Sequence, residues 1–155
     1  MPRLRVGDDE IVSQWTALRI LHVDTFGPCA AIGVESGGRL IAGCVYHDYQ
    51  PTARTIQLSF AATKPWWARY ETVRGPLRYP FTQLGVYRAY TLSHVGSPMS
   101  ALLPRLGFSV EAVLTAGFGP GTDAFMCRML EPDYSALYEQ SFNGGPNKKI
   151  RTESA

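Results

Sequence analysis

The sequence predicts an α/β fold: one mixed, mostly antiparallel sheet of six to seven strands with helices on both faces. Runs in which every second residue is apolar recur along the chain, as in half-buried strands, and the clearest is Thr55–Ala62. Between such runs, apolar residues recur every three or four positions, as on one face of a helix, most clearly from Trp66 to Gly85. The alternation of the two periods predicts the element order α-β-β-β-α-β-α-β-β.

The N-terminal part predicts a helix followed by an antiparallel meander. Met1–Val6 alternates weakly, which suits a small edge strand, and the carboxylates of Asp8–Glu10 precede an apolar helical pattern. Cys29–Ser36 and Arg39–Tyr49 alternate on either side of a Gly-Gly pair, which is typical of a tight hairpin. Thr55–Ala62 then makes the third full strand of the meander.

The helix predicted for Trp66–Gly85 should be irregular. Pro76 and Pro80 lie inside its apolar stripe, and each removes a helical hydrogen bond and crowds the preceding turn. We therefore expect a kink near Gly75–Pro76 and a C-cap at Gly85.

The C-terminal half predicts a parallel strand, a short helix and a hairpin. Strand Arg88–Val95 follows a crossover helix, so it should run parallel to the central strand. Ser97 suits the N-cap of the next helix, the proline after it suits the first position, and Gly107 suits its end. Ser109–Phe118 and Thr122–Leu130 should then pair as a hairpin.

Composition limits the classes of protein to which the chain can belong. It has 155 residues, 45% hydrophobic and 18% charged, which indicates a globular protein, and we expect one domain over residues 1–140 and a flexible tail at 141–155. The net charge of +2, with its one basic run at Lys148–Arg151 in the tail, argues against nucleic-acid binding. No stretch approaches the ~18 apolar residues of a membrane span, so we expect a cytoplasmic protein without membrane contact.

The cysteines predict neither a disulfide framework nor a metal site. Cys29, Cys44 and Cys127 are odd in number, show no C-x-x-C spacing and lie in predicted strands. We interpret them as reduced core residues of a cytosolic protein.

Three segments carry a resemblance to a known family: Tyr79–Arg88 (YPFTQLGVYR), Leu106–Leu114 (LGFSVEAVL) and Thr122–Met126 (TDAFM). They resemble runs in the GNAT superfamily of N-acetyltransferases, in particular in the branch that includes the ribosomal-protein acetyltransferases. The resemblance extends from about Cys29 to Leu130. It implies a GNAT-like sheet whose one parallel strand pair splays apart at a cofactor cleft, and it allows a homodimer.

The resemblance also implies acetyl-CoA as co-substrate. Its pantetheine arm would pair with backbone groups of the central strand, and its pyrophosphate would lie on the amides that begin the following helix. The residues implied for the strand are Phe60, Ala61, Ala62 and Thr63, and those for the helix start are Trp67, Ala68, Arg69, Tyr70, Thr72 and Val73.

The chain departs from the family pattern at three positions on the cofactor side. The pyrophosphate loop of the family is rich in glycine, whereas residues 65–72 here contain none, although Arg69 and Thr72 supply a charge and a hydroxyl. The family's asparagine at the second crossover helix falls on Gly96, and its tyrosine, the general acid, falls on Leu103. Ser97 and Ser100 are the nearby hydroxyls, with helix capping as the alternative role for Ser97.

The acceptor side lacks the family's glutamate base, because the corresponding residue is Gln57. His47 is the candidate substitute, since an ordinary pKa of about 6.5 suits proton removal near neutral pH. A strand histidine without a catalytic role is the alternative. His94 ranks second, and we interpret His22 as structural.

The resemblance implies an acyl-CoA-dependent N-acyltransferase that transfers acetyl to a primary amine by direct attack. The acceptor, whether a small molecule, a protein N-terminus or a lysine, is open. The missing family residues favour an alternative, namely a binding or assembly module of the same fold without acetyl transfer. Modification of a nucleobase is a third, weaker alternative because the net charge is small.

Overall fold

The computed structural model describes residues 2–63 and 70–139 of the chain. Its strands are β1 (Arg3–Val6), β2 (Ala30–Ser36), β3 (Arg39–Gln50), β4 (Thr55–Ala62), β5 (Arg88–His94), β6 (Ser109–Leu114) and β7 (Ala124–Leu130). Its helices are α1 (Asp9–Ala17), α2 (Tyr70–Arg78), α3 (Pro98–Leu106) and α4 (Glu131–Tyr134), with π-helical turns after α2 at Tyr79–Gln83 and after α4 at Ser135–Glu139. The predicted tail from residue 141 lies outside the described residues.

The strands form one seven-stranded sheet in the order β1-β2-β3-β4-β5-β7-β6. β4 and β5 run parallel, and every other neighbouring pair is antiparallel. This arrangement confirms the predicted meander, the parallel pair and the C-terminal hairpin. The weakly alternating residues at the N-terminus form the edge strand β1.

The larger core lies on the face of the sheet that α2 and α3 cover. Its buried members on these elements are Ile56, Leu58 and Phe60 from β4, Val73, Leu77 and Phe81 from α2 and its π turn, and Leu103 and Leu106 from α3. The C-terminal segment docks on the same core, where the Tyr138 hydroxyl donates to the Leu106 carbonyl over 2.6 Å. The period-2 and period-3.6 patterns of the sequence therefore meet on one face of the sheet.

The opposite face of the sheet carries α1, which packs unusually close to the strands. Val12 of α1 is fully buried against Ala31 and Val45 of the strands below it. A Cβ atom added to Gly43 of β3 would lie 2.1 Å from Thr16 Oγ1 of α1, so only glycine permits this approach. We refer to this face as the α1 face and to the other as the α2–α3 face.

The C-terminal hairpin is shorter than predicted. β6 ends at Leu114 and β7 begins at Ala124, whereas the sequence predicted strands to Phe118 and from Thr122. The Asp123 carboxylate accepts a hydrogen bond of 2.9 Å from the Ala116 backbone N–H, and Ala116 has a left-handed φ of 56°. These local contacts hold residues 115–123 as a loop and end the strand pairing early.

A π turn follows α2, just after the position of the kink expected at Gly75–Pro76. The α-helix continues through Pro76 to Arg78, and the chain then widens so that the Leu84 N–H donates to the Tyr79 carbonyl over 3.2 Å. Pro80 supplies no N–H within this turn, and the wider turn accommodates that missing donor. The freed Pro76 carbonyl accepts a 2.5 Å hydrogen bond from the Tyr46 hydroxyl.

All three cysteines are free thiols. The prediction that Cys29 lies within a strand is wrong by one residue. Cys29 lies one residue before β2 and is half-buried, whereas Cys44 and Cys127 are buried on β3 and β7. Burial raises the pKa of the Cys44 thiol to about 12, so it stays protonated at neutral pH. None of the described helices is long and apolar enough to cross a bilayer.

Candidate functional site

The parallel pair β4–β5 separates partway along its length. Its ladder contains the pairs from Thr55–Arg88 to Leu58–Thr91, and we call this part the closed half. Beyond it β4 continues to Ala62 and β5 to His94 without pairing to each other, and we call residues 60–62 and 92–94 the open half. The splay implied by the family resemblance is therefore confirmed.

Each strand of the open half remains anchored on its outer side. On β4, Phe60 still pairs with Cys44 of β3, and on β5, Ser93 still pairs with Phe125 of β7. The inner edges of the two strands consequently present backbone N–H and C=O groups to the gap between them. An extended ligand with amide groups can pair with such an edge as an additional strand does.

A cleft of about 850 Å³ occupies this gap. The described residues that line it come from the segment after α1, the open half with the residue after β4, the connection from β5 to α3, and α3 itself. They are Arg19, Ile20, Leu21, Phe60, Ala61, Ala62, Thr63, Leu92, Ser93, His94, Val95, Gly96, Ser97, Pro98, Met99, Ala101, Leu102 and Arg105. Its wall is mainly apolar, with two arginines and no carboxylate among these residues.

The four strand residues implied for cofactor binding all line the cleft: Phe60, Ala61, Ala62 and Thr63. Thr63 is exposed, and its backbone N–H and its hydroxyl both donate to the Ile41 carbonyl, over 2.8 and 3.3 Å.

The helix residues implied for the pyrophosphate are only partly described. Trp67, Ala68 and Arg69 lie outside the described residues, and Tyr70 is the first described residue of α2. Thr72 and Val73 are buried, and Val73 belongs to the core on the α2–α3 face. Of this predicted set, the side chains of Thr72 and Val73 are therefore buried in the protein.

The two serines of α3 have helix-capping contacts. Ser97 Oγ accepts a 3.2 Å hydrogen bond from the Ser100 backbone N–H, and Ser100 Oγ donates to the Ser97 carbonyl over 2.6 Å. Ser97 lines the cleft, whereas Ser100 is not among its lining residues. Leu103, at the position of the family's tyrosine, is fully buried in the core, so its side chain lies away from the cleft.

His47 lies on the α1 face beside the closed half. Its Nε2 is 2.9 Å from Ser59 Oγ, and its ring centroid is 5.0 Å from that of Phe26. Burial lowers the pKa of His47 below its ordinary value, and the nearby Asp48 carboxylate opposes that shift in part. The imidazole is therefore neutral at pH 7, as a base must be, but it is not among the residues that line the cleft.

His94 is the histidine that does line the cleft. Its Nε2 donates to the Leu21 carbonyl over 3.0 Å, and its ring stacks on Phe118 with centroids 3.9 Å apart. His22 lies beside it, with ring centroids 6.2 Å apart. His94 thus joins the open half to both the segment after α1 and the loop between β6 and β7.

Sequence reasoning missed three polar residues of the cleft, namely Arg19, Ser93 and Arg105. Arg19 follows the end of α1, and Arg105 lies in the last turn of α3, so no sequence period places either one beside β4. Alternation does place Ser93 on the α2–α3 face. Only the structure shows that the β4–β5 pairing ends before Ser93, which therefore lies beside the cleft. In the described part of the chain, no three His, Cys, Asp or Glu side chains gather as metal ligands would.

The fold is that of solved N-acetyltransferases. Mutant forms of the spermidine/spermine N-acetyltransferase SpeG from Vibrio cholerae match it with a TM-score of 0.67 and 17% identity, over 86% of this chain and 97% of that one. A dodecameric structure of the spermidine N-acetyltransferase from the same organism gives 0.68 and 18%, over 86% and 95%. A probable acetyltransferase gives 0.64 and 15%, over 85% and 94%.

These likenesses show that the chain has the GNAT fold predicted from its sequence. The sequence itself matches no protein-family model and no curated protein. Resemblance to the ribosomal-protein branch stays a prediction, because none of the structures named above is described as a member of that branch.

Proposed function

We propose that this protein is an acyl-CoA-dependent N-acetyltransferase that transfers acetyl from acetyl-CoA to a primary amine. The observation that carries the proposal is the open half of β4–β5, where two strands separate around a cleft of about 850 Å³. A sheet interior is normally closed by hydrogen bonds, so unpaired inner edges indicate that a ligand completes them. The GNAT fold supplies the class of ligand.

The described residues fit acetyl-CoA in shape and charge. The inner edge of Phe60–Ala62 offers backbone groups to the two amides of pantetheine, and the apolar walls suit its methylene groups. Arg19 and Arg105 are the charged lining residues and give the cleft the sign that attracts a polyanionic coenzyme. The transfer itself needs neither a metal nor a covalent intermediate, since the amine can attack the thioester directly.

We propose His47 as the general base, acting through water. Its neutral imidazole is bound to Ser59, which neighbours Phe60 at the point where β4 enters the open half. Because His47 lies outside the cleft wall, the proposed route for the proton from the attacking amine to its imidazole runs through water. The buried Leu103 offers no acid for the leaving thiolate, so that thiolate leaves as an anion or takes its proton from solvent.

The charge of the cleft also restricts the proposed acceptor. Two of the solved structures named above are of enzymes that acetylate spermidine or spermine, and these substrates carry several positive charges. No described residue lining this cleft is a carboxylate that would balance such charges. We propose an acceptor with a single amine, such as the α-amine of a peptide, in preference to a polyamine.

The test has a binding arm and a turnover arm. Calorimetric titration with acetyl-CoA and CoA should give saturable binding, and acetyl-CoA at one hundred times its Kd should stabilise the fold by about 2.7 kcal/mol. Release of CoA would then be followed by mass spectrometry with a peptide α-amine, a lysine peptide and spermidine, and kcat/KM should be lowest for spermidine. Mass spectrometry avoids the background that half-buried Cys29 would give with thiol reagents.

The binding-module alternative predicts a different pattern. Tight binding of acetyl-CoA without turnover of any amine would favour a module that uses the coenzyme as a ligand. The buried Leu103 is the observation on its side, because a leucine at the position of the family's general acid cannot donate a proton. Absence of any thermal shift with millimolar acetyl-CoA and CoA would overturn the enzyme and favour a binding or assembly module that does not use the coenzyme.

A further inference from the structure

One buried side chain in the described part of the chain has an unused hydrogen-bonding group. Ser93 is 4% exposed, and its Oγ has no hydrogen-bond partner. By contrast, the hydroxyl of Thr16, which is equally deep, donates to the Val12 carbonyl over 2.7 Å. Buried hydroxyls are normally paired, because leaving one unpaired after removing it from water is unfavourable.

The place of Ser93 in the fold explains why the group is unpaired. It follows Thr91, the last residue of β5 in the ladder with β4, by two positions and so points to the same face of the sheet. It also lines the cleft, where Phe60, Met99 and Leu102 form apolar wall around it on the α2–α3 side. A single polar group in an apolar wall is the usual arrangement of a site that orients a mostly apolar ligand.

We infer that the Ser93 hydroxyl donates a hydrogen bond to the carbonyl oxygen of the acyl thioester bound in the cleft. This inference rests on the proposed function. A thioester offers two acceptor atoms, the carbonyl oxygen and the sulfur, and the sulfur is the weaker acceptor by a wide margin. A hydroxyl with no other partner therefore selects the oxygen.

The same contact would favour the reaction as well as binding. When an amine attacks the thioester carbon, negative charge collects on the carbonyl oxygen, and a donor already directed at that atom becomes a stronger partner. Ser93 keeps its proton throughout, so the step requires no base near it. Because Ser93 Oγ has almost no accessible surface, the wall must shift slightly to admit the acyl group, and Met99 is the most adaptable neighbour.

The experiment compares two ligands that differ by the acetyl group. Wild-type protein and Ser93→Ala would be titrated calorimetrically with acetyl-CoA and with CoA, which has no acyl carbonyl. Ser93→Ala should raise the Kd of acetyl-CoA about threefold to tenfold and leave the Kd of CoA within about twofold. Thr91→Val is the matched control: it removes a buried hydroxyl from the same face of β5, outside the cleft lining, and should leave both within about twofold.

Thermal unfolding without ligand separates this role from a structural one. Replacing an unpaired buried oxygen by hydrogen should leave the melting temperature of Ser93→Ala equal or higher. A marked drop would mean that Ser93 has a structural partner and would overturn the inference, as would equal weakening of both ligands or an unchanged Kd for acetyl-CoA. If the wild type binds neither ligand, the proposed function fails first and the inference fails with it.

Discussion

The closed and open halves of β4–β5 are consecutive stretches of the same two strands, yet they present different chemistry. In the closed half, the strands pair through Leu58–Thr91, and the α1 face beside them carries polar contacts, including a 3.0 Å hydrogen bond from the Tyr90 hydroxyl to Asp48. In the open half, the strands separate around apolar walls and two arginines. The closed half therefore holds the strands in register, and the open half leaves room for a ligand.

The comparison shows how a regular sheet can support a gap without losing its strands. Where β4 has no partner on its inner side, it retains β3 on the other side, and α1 packs over it through Gly43, which pairs with Ala61. Where β5 has no partner, it retains β7, and His94 ties its end to Leu21 and Phe118. The open half is thus supported from outside, so its geometry exists before any ligand arrives.

The largest expected effect is a loss of kcat on replacing His47, the proposed base beside the closed half. His47→Gln should lower kcat with the best acceptor amine by about 10²–10⁴, because it removes the proposed general base while retaining a hydrogen-bonding side chain. The acidic limb of the pH–rate profile should disappear with it. His94→Gln is the comparison, and it should lower kcat less, because the imidazole of His94 is occupied by Leu21 and Phe118. A larger loss in His94→Gln would move the base into the open half.

A smaller effect should appear in the Kd of CoA when a positive charge is reversed in the open half, and not when one is reversed beside the closed half. Arg105→Glu reverses a charge in the cleft wall and should raise the Kd of CoA about tenfold at low ionic strength, and less at high salt. Arg54→Glu makes the same change at the closed end, where Arg54 donates to the Gly85 carbonyl, and should leave the Kd within about twofold. Equal weakening in both variants would mean that net charge, and not the cleft, attracts the coenzyme.

Local patterns predicted the parts of the fold that local forces determine. Alternation located the strands to within a few residues, and capping chemistry located Ser97, which caps α3, and Gly107, which ends it with φ of 108°. The hairpin boundaries failed because the Asp123–Ala116 hydrogen bond is a contact between particular side-chain and backbone groups. Of the residues named from the sequence, the strand segment Phe60–Thr63, His94 and Ser97 line the cleft.

The positions of the remaining site residues depend on tertiary contacts, which the hydrophobic periodicity of the sequence does not predict. Arg19 reaches the cleft from the segment after α1 and Arg105 from α3, and their approach depends on how α1 and α3 pack on the sheet. The register of β3 against β4 decides what His47 touches, and an irregularity follows it before Gln50. That register sets His47 beside Ser59 and outside the cleft wall, a detail that the sequence could not supply.

The smallest expected effect is the pH dependence of stability that His47 contributes. Its pKa is lowered in the folded protein because burial disfavours the charged ring, so between the folded pKa and the ordinary value of about 6.5 the unfolded chain binds more protons. Stability should therefore fall as the pH drops below about 6.5, with a slope from this group of at most about 1.4 kcal/mol per pH unit. Once the pH is below the folded pKa, this contribution should level off.

Urea unfolding of the wild type and of His47→Gln between pH 5 and 8 measures this pH dependence, because the variant lacks the ionisation and should show the shallower slope of stability against pH. Identical slopes would mean that the pKa of His47 is the same in the folded and unfolded states. The proposal that His47 is a partly buried, neutral base would then be wrong.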